Sequence, residues 1–247
     1  GSTSRPLYWN TVPRAITRKP GTCCRFCIRL SLRPSDRYSN SASPLWLTKG
    51  NTGNVQSWWP NLQLYRDLKL DLVMLDYPGY GKSPCCIRSQ TQLLADLQTA
   101  WSKVAQDYAG RPQIFLGRSL GSGLATQVAA ALAPEHQPRL LVLVSPYRSM
   151  LALKDLHYPW VPDAVSRYPL RTDEALPRFS GRTLVVHGQQ DRLIPFEQGR
   201  ALASLARMGR WVLIPEAAHA DVHRFGAYRE ALQSAFARAL GEERLKR

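Results

Sequence analysis

The stretch IFLGRSLGSGLA, residues 114–125, runs from an apolar segment into a small-residue helix through a turn that places one serine between two glycines. Such a turn between a strand and a helix lifts the serine hydroxyl out of the sheet, toward a base and a substrate. Gly117 and Gly121 keep side chains from colliding with the turn, and the helix directs its first N–H groups at the same place. We therefore predict that Ser119 is a nucleophile and that the N–H of Leu120 faces a substrate oxyanion.

Apolar runs alternate with helical patterns on both sides of this turn. Strands are predicted over 25–32, 44–50, 70–83, 113–118, 139–147, 182–191 and 211–219, and helices over 93–108, 121–133, 196–208 and 225–240. Nearly continuous apolar strands joined by helices are typical of a mainly parallel sheet that is covered by helices on both faces. The predicted fold class is therefore α/β.

Ligands of such sheets bind beyond the carboxyl ends of the strands, where a base for Ser119 should lie. His219 follows the last predicted strand and is the best candidate for this base. His223 lies one helical turn later and is the second candidate. His187 lies inside a strand end and is interpreted as structural, and two further histidines, His136 and His157, lie in irregular segments.

A carboxylate is needed to orient the histidine and to stabilise its charged form. Asp191 lies in the turn after the strand at 182–191 and is the predicted acid. Glu216 and Asp221 flank His219, but near neighbours along a chain rarely orient each other's rings correctly. Asp76 precedes the nucleophile and opens a Pro/Gly loop, so it is interpreted as a turn residue.

Four motifs in a fixed order resemble those of the α/β-hydrolase superfamily. They are DYPGYGKS (76–83), GRSLG (117–121), HGQQDRLIP (187–195) and PEAAHAD (215–221). The order Ser119, Asp191, His219 is also the order of that family. The resemblance covers residues 44–240 and implies an α/β-hydrolase fold with a Ser-His-Asp triad that works through an acyl-enzyme.

The segment KGNTGN, residues 49–54, corresponds by the same resemblance to the loop that binds the oxyanion. The N–H of Asn51 would be the second donor, beside that of Leu120. The family usually has a histidine before the glycine of this loop, and this chain has Lys49. This departure bears on the shape of the loop.

Three parts of the chain are distinguished by composition. Residues 1–43 form a basic N-terminal arm with one predicted strand, and residues 44–247 form the hydrolase domain. Within that domain, residues 148–181 form a short cap insert, with room for two short helices and too little for a large lid. Several apolar residues of the insert are candidates for an acyl pocket or for simple packing: Leu151, Leu153, Tyr158, Trp160 and Val161.

Composition limits the classes of partner. The 247 residues are 44% hydrophobic and can bury one full core. The formal net charge is +15, and residues 1–40 carry eight Lys and Arg against one acid. No basic stripe interleaved with aromatic residues accompanies this charge, so we expect no specific nucleic-acid partner. Weak attraction to anionic surfaces stays open.

The five cysteines are Cys23, Cys24, Cys27, Cys85 and Cys86. Their odd number does not suit a disulfide framework, and adjacent cysteines suit a tetrahedral zinc site poorly although Cys24 and Cys27 have ligand spacing. We expect free thiols, no metal and no cofactor, and free thiols favour the cytoplasm. No apolar run reaches the roughly 18 residues that span a bilayer, so a soluble chain is expected. Gly1 and Ser2 look like residues left by cloning, which leaves an earlier leader or anchor open.

These features predict a serine hydrolase that cleaves a small-molecule carboxylic ester with a short or medium acyl chain. Thioesters and lipid esters are close alternatives. A hydrolase-fold protein can also act as a binding protein without turnover, and this second class stays open. A peroxidase or a dehalogenase of the same fold is disfavoured; the nucleophile of a dehalogenase would be an aspartate, and this chain has Ser119.

Overall fold

The computed structural model describes residues 27–31, 43–50, 65, 70–80 and 86–241, the first of these ranges as strand backbone. Predictions that lie outside the described residues concern most of the basic arm, Asn51, and the cysteines Cys23, Cys24 and Cys85. Cys86 is a free, exposed thiol.

Seven strands in the described residues form one sheet. They are β1 (Cys27–Ser31), β2 (Pro44–Thr48), β3 (Asp71–Leu75), β4 (Ile114–Arg118), β5 (Leu140–Val144), β6 (Arg182–Gly188) and β7 (Met208–Ile214). Their order is β1-β3-β2-β4-β5-β6-β7, and every described pair is parallel except β1 with β3. The predicted mainly parallel sheet is confirmed, with β4 at its centre.

Six α-helices lie in the described residues. They are α1 (Gln90–Ala105), α2 (Leu120–Ala131), α3 (Met150–His157), α4 (Thr172–Ala175), α5 (Phe196–Leu205) and α6 (Gly226–Leu240). Serine side chains cap two of them, because Ser89 accepts the Gln92 N–H at the start of α1 and Ser149 accepts the Ala152 N–H at the start of α3. None of the described helices is long and apolar enough to cross a membrane.

The core lies on both faces of the sheet, as the strand β5 shows. Leu140, Val142 and Val144 belong to the core cluster that contains the buried face of α6, whereas Leu141 and Leu143 belong to the cluster with α1, α2 and α5. All five side chains are at most 2% exposed. Burial of each stabilises the fold by about 1.5–3 kcal/mol, and this two-sided packing explains the uninterrupted apolar run.

The boundaries of β7 differ from the predicted 211–219. Ladder pairing with β6 runs from Arg182↔Met208 to Gly188↔Ile214, so β7 begins earlier and ends before Pro215. The first residues of this edge strand are exposed, and burial patterns therefore do not reveal them. Pro215 has no N–H for the ladder, so the strand stops there.

The cap insert connects β5 to β6. It contains α3, α4 and single 3-10 turns at Asp163–Val165 and Leu176–Arg178. Leu153 packs against the core, but Tyr158 and Trp160 are 57% and 75% exposed. Neither of these two aromatic residues is buried in the core, and their place in an acyl pocket stays a prediction.

Candidate active site

The turn between β4 and α2 has the strained geometry that its sequence predicts. Ser119 has φ 51° and ψ −124°, a conformation that costs a non-glycine residue about 1–3 kcal/mol. A Cβ at Gly117 would overlap the Gly121 carbonyl, and a Cβ at Gly121 would overlap the Thr48 carbonyl. Backbone therefore occupies the space on both sides of the serine, and glycine is required at both positions.

Hydrogen bonds hold this turn in place. The Ser119 N–H donates to the Val144 carbonyl of β5 at 2.9 Å. Ser122 donates to the Ser119 carbonyl from its N–H at 2.8 Å and from its hydroxyl at 2.7 Å. The hydroxyl of Thr48, at the end of β2, lies 2.8 Å from the Gly121 carbonyl oxygen. The two strands beside β4 thus fix the direction in which the serine hydroxyl points.

Three loops at the carboxyl edge of the sheet bring the predicted serine, histidine and acid together. The Ser119 Oγ lies 3.1 Å from Nε2 of His219, in the loop after β7. The Nδ1 atom of the same imidazole lies 2.7 Å from Oδ2 of Asp191, in the turn after β6. A proton can therefore pass from the hydroxyl to Nε2 while Nδ1–H stays hydrogen-bonded to the carboxylate.

The acid turn holds Asp191 from the backbone. Its Oδ1 accepts the Leu193 N–H at 3.0 Å and the Ile194 N–H at 2.8 Å. The carboxylate is fully buried, whereas the side chain of His219 is 22% exposed. Oδ1 is thus committed to the backbone, and Oδ2 is aimed at the imidazole.

His187 is a second imidazole on the same carboxylate. Its Nε2 lies 3.2 Å from Oδ2 of Asp191 and 2.9 Å from the Ile194 carbonyl oxygen. The ring is fully buried, and its Nδ1 has no hydrogen-bond partner among the described residues. A tautomer with its proton on Nε2 satisfies these contacts. Its position inside a strand end predicts a structural role; its place four residues before Asp191 is the signal in the sequence for this contact.

The charge of the carboxylate follows from these contacts. Burial by itself would raise the pKa of Asp191, but the hydrogen bonds from the two imidazoles and from the Ile194 N–H outweigh burial. Together they hold the pKa of this carboxyl well below its usual range. Asp191 is therefore an anion at neutral pH and can stabilise a proton on the imidazole.

Arg118 joins the strand of the nucleophile to the histidine loop. Its Nη2 donates to the carbonyls of His219 at 2.9 Å and Ala220 at 2.8 Å. Its Nη1 lies 3.5 Å from Nδ1 of His223, whose pKa is lowered by burial and then by the charges of Arg118 and Arg224. The second candidate for the base therefore lies against a guanidinium. Arg118 is not among the site residues that the sequence predicts, although it places a charge directly before the nucleophile.

The two acids that flank His219 along the chain make other contacts. Oδ1 of Asp221 accepts the Ala218 N–H at 2.7 Å, which shapes the histidine loop. Glu216 is exposed. Neither acid takes the place that Asp191 has against the imidazole.

The oxyanion side of the site is described in part. Leu120 is the first residue of α2, so its N–H is one of those without an acceptor inside the helix. A Cβ on Gly50 would lie 3.6 Å from the Cβ of Ser119, which places the loop after β2 beside the serine. Asn51, the predicted second donor, lies beyond the described part of this loop.

Lys49 occupies the position where the family usually has a histidine. The side chain is fully buried, and its Nζ lies 5.0 Å and 4.5 Å from the ring centroids of Tyr77 and Tyr80. Burial lowers the pKa of Lys49, and the charge of Asp76 acts in the opposite direction. Tyr77 donates its hydroxyl proton to the Lys49 carbonyl at 2.7 Å. The faces of the two tyrosine rings thus accommodate the ammonium of Lys49. The hydroxyl of Tyr77 fixes the backbone at the start of the loop.

Two sequence comparisons found similarities to this chain. A family model described as serine aminopeptidase, S33, matches residues 66–168. An uncharacterized protein of Mycobacterium tuberculosis (strain H37Rv) is 32% identical over 187 residues, which is 73% of this chain and 64% of the relative. The match thus spans slightly less than two thirds of the length of that relative.

Solved structures share the fold. Est1E from Butyrivibrio proteoclasticus, solved with ferulic acid bound, has a TM-score of 0.68 at 14% identity, over 86% of this chain and 95% of that one. The esterase from Exiguobacterium antarcticum has a TM-score of 0.63 at 17% identity, over 85% and 94%. With its mainly parallel sheet between layers of helices, the chain has the α/β-hydrolase fold that these structures share.

Proposed function

We propose that this protein is a serine hydrolase that cleaves carboxylic esters with short or medium acyl chains. One observation carries the proposal: Ser119, His219 and Asp191 form an unbroken chain of hydrogen bonds at the carboxyl edge of the sheet. The likeness to solved esterases supports the reaction class. No described contact distinguishes oxygen esters from thioesters, so both belong in the test.

In the first half of the reaction, His219 takes the proton of the Ser119 hydroxyl while Oγ attacks the ester carbonyl carbon. The carbonyl oxygen becomes an anion that faces the Leu120 N–H and the loop after Gly50. The carbon–oxygen bond to the alcohol then breaks, and the alcohol leaves with the proton from the imidazole. An acyl group remains bound to the serine.

In the second half, a water molecule gives a proton to His219 and attacks the acyl carbonyl. The bond to Ser119 breaks, and the serine recovers its proton from the imidazole as the carboxylic acid leaves. Asp191 remains an anion in both halves, because its pKa is well below the usual range. Each half therefore begins and ends with a neutral imidazole.

A fluorophosphonate probe and a panel of substrates test this proposal. We expect the probe to label Ser119, with p-nitrophenyl esters hydrolysed fastest at short or medium acyl length. The panel includes acyl thioesters and an aminoacyl anilide, because the matched family model bears the name of a serine aminopeptidase. A folded chain with neither label nor turnover would instead be the non-catalytic binding protein.

Asp191→Asn should lower kcat by about 10⁴ at pH 7, because an amide cannot stabilise the imidazolium and favours the wrong tautomer. Part of the rate should return at pH 10, where hydroxide replaces the missing general base. Glu216→Gln and Asp221→Asn are the controls and should each change kcat by less than about tenfold. Steady-state kinetics at both pH values decide the assignment; a silent Asp191→Asn beside an inactive Glu216→Gln or Asp221→Asn would contradict it.

Arg118→Met should lower kcat by about ten- to a hundredfold with KM nearly unchanged, because the histidine loop loses its tie to β4 and the base shifts. Arg118→Lys should recover only part of the rate, because one ammonium does not reproduce the guanidinium fork. Thermal melting identifies any loss of fold. Wild-type kcat in a folded Arg118→Met variant would show that this contact does not position the base.

A further inference from the structure

Five large apolar side chains are exposed on the cap insert and the acid turn. We call them the apolar rim: Leu156 (49% exposed), Tyr158 (57%), Trp160 (75%), Val165 (61%) and Leu193 (51%). In the described part of the chain, the other exposed large apolar residues are Leu205 and Met208. These two lie at the end of α5 and the start of β7, away from the carboxyl edge. Exposure of large apolar side chains is therefore concentrated at the edge that carries the candidate active site.

Two contacts hold parts of the rim in place. Nε2 of His157 lies 2.7 Å from the Leu193 carbonyl oxygen, which joins the cap insert to the acid turn. The rings of Tyr158 and Trp160 pack edge to face with centroids 5.9 Å apart. The parts of the rim that these contacts fix lose less conformational freedom when a partner binds, which favours binding.

The mostly buried side chain of Lys154 fixes the loop that carries Tyr158 and Trp160. Lys154 Nζ binds the carboxylates of Asp155 and Asp163, the latter at 2.7 Å, and donates to the Val161 carbonyl at 2.8 Å. The lysine side chain is only 15% exposed, whereas both carboxylates face solvent. The cation thus offsets negative charge beside the rim and keeps the loop folded against α3.

The rim adjoins the candidate active site directly. The backbone N–H of Leu193 donates to Oδ1 of Asp191 at 3.0 Å, so one member of the rim is part of the acid turn. A partner surface that docks on the rim would therefore contact the protein at the carboxyl edge of the sheet, where Ser119 and His219 lie. Molecules embedded in that surface would be presented to the site.

The chemistry of the rim fits a lipid bilayer. Tryptophan and tyrosine favour the boundary between acyl chains and headgroups, because their rings are apolar and their N–H and O–H groups remain wet. Exposed Arg167 and Arg192 lie on the same two segments, and the chain carries a formal net charge of +15. Cations beside an apolar face favour anionic headgroups. We propose that the apolar rim is a docking surface for an anionic lipid bilayer.

Vesicle sedimentation with the full chain tests the rim. We expect binding to vesicles of phosphatidylcholine with phosphatidylglycerol, and weaker binding to phosphatidylcholine alone. Trp160→Ser with Val165→Ser should weaken binding to the anionic vesicles by about tenfold or more, because two apolar side chains that the bilayer would bury are lost. Leu205→Ser with Met208→Ser removes similar exposed side chains elsewhere and should bind as the wild type does. Thermal melting confirms that both double variants are folded.

Ser119→Ala should bind vesicles as the wild type does, so failure of the docking proposal is distinguishable from failure of the proposed hydrolysis. Equal binding of the rim variant and the wild type would overturn the proposal and assign any binding to net charge alone. Absence of vesicle binding would overturn it too. If rim-dependent self-association appeared in sedimentation without vesicle binding, the surface would instead belong to a contact between two copies of the chain.

Discussion

Ser119→Ala is expected to lower kcat by about 10⁶, because loss of the nucleophile in a serine triad removes covalent catalysis altogether. Ser119→Gly should be equally inactive but more stable than Ser119→Ala by about 1 kcal/mol or more, because glycine adopts φ 51° without strain. The two variants thus separate chemistry from conformational strain at one position. Ester hydrolysis and chemical denaturation measure the two effects.

Normal folding of both variants is the control for this experiment, since Ser119 also donates its N–H to Val144 and keeps that bond in either variant. Fluorophosphonate labelling should disappear in both. Turnover above about a tenth of the wild-type rate in a folded Ser119→Ala variant would remove this serine from its proposed role.

His219→Ala should lower kcat nearly as much as loss of the serine, because no other described imidazole lies against the Ser119 hydroxyl. His223→Ala should have little effect on turnover, since His223 lies against Arg118. His187→Ala should mainly lower the melting temperature, because it empties a fully buried position. Parallel measurement of kcat and thermal melting on the three variants separates these outcomes.

A folded His223→Ala variant without hydrolysis, beside an active His219→Ala, would show that the base had been misassigned. Loss of turnover in His187→Ala without loss of stability would give that imidazole a direct part in orienting Asp191. The rate of fluorophosphonate labelling at several pH values also shows which histidine activates Ser119, and this measurement needs no ester substrate.

Much of the fold could be predicted because its strands are buried on both faces. The run that forms β5 is apolar throughout, and its residues pack alternately into two core clusters. Prediction failed at the exposed start of β7, and the exposure of Tyr158 and Trp160 in the cap insert did not follow from the apolar pattern either. A pattern of apolar residues reports which side chains can be buried, and it does not report which of them are.

The candidate site was predictable where local turns place a residue at a strand end. Ser119, His219 and Asp191 each follow a parallel strand, and such ends meet at one edge of the sheet. The contact of Arg118 with the histidine loop joins residues about a hundred positions apart, so the charge beside Ser119 marks the residue but does not reveal its partner. That contact depends on the direction in which the Arg118 side chain crosses the carboxyl edge of the sheet.

The sharing of one Asp191 oxygen by two imidazoles decides where the protons reside during the proposed reaction. A hydrogen bond from His187 to Oδ2 makes this oxygen less basic. The carboxylate therefore competes poorly for the proton on Nδ1 of His219. The imidazole therefore keeps both its protons after it deprotonates the serine, and the one on Nε2 remains available to the departing alcohol. The buried second histidine thus favours forward transfer of the proton over its retention by the acid.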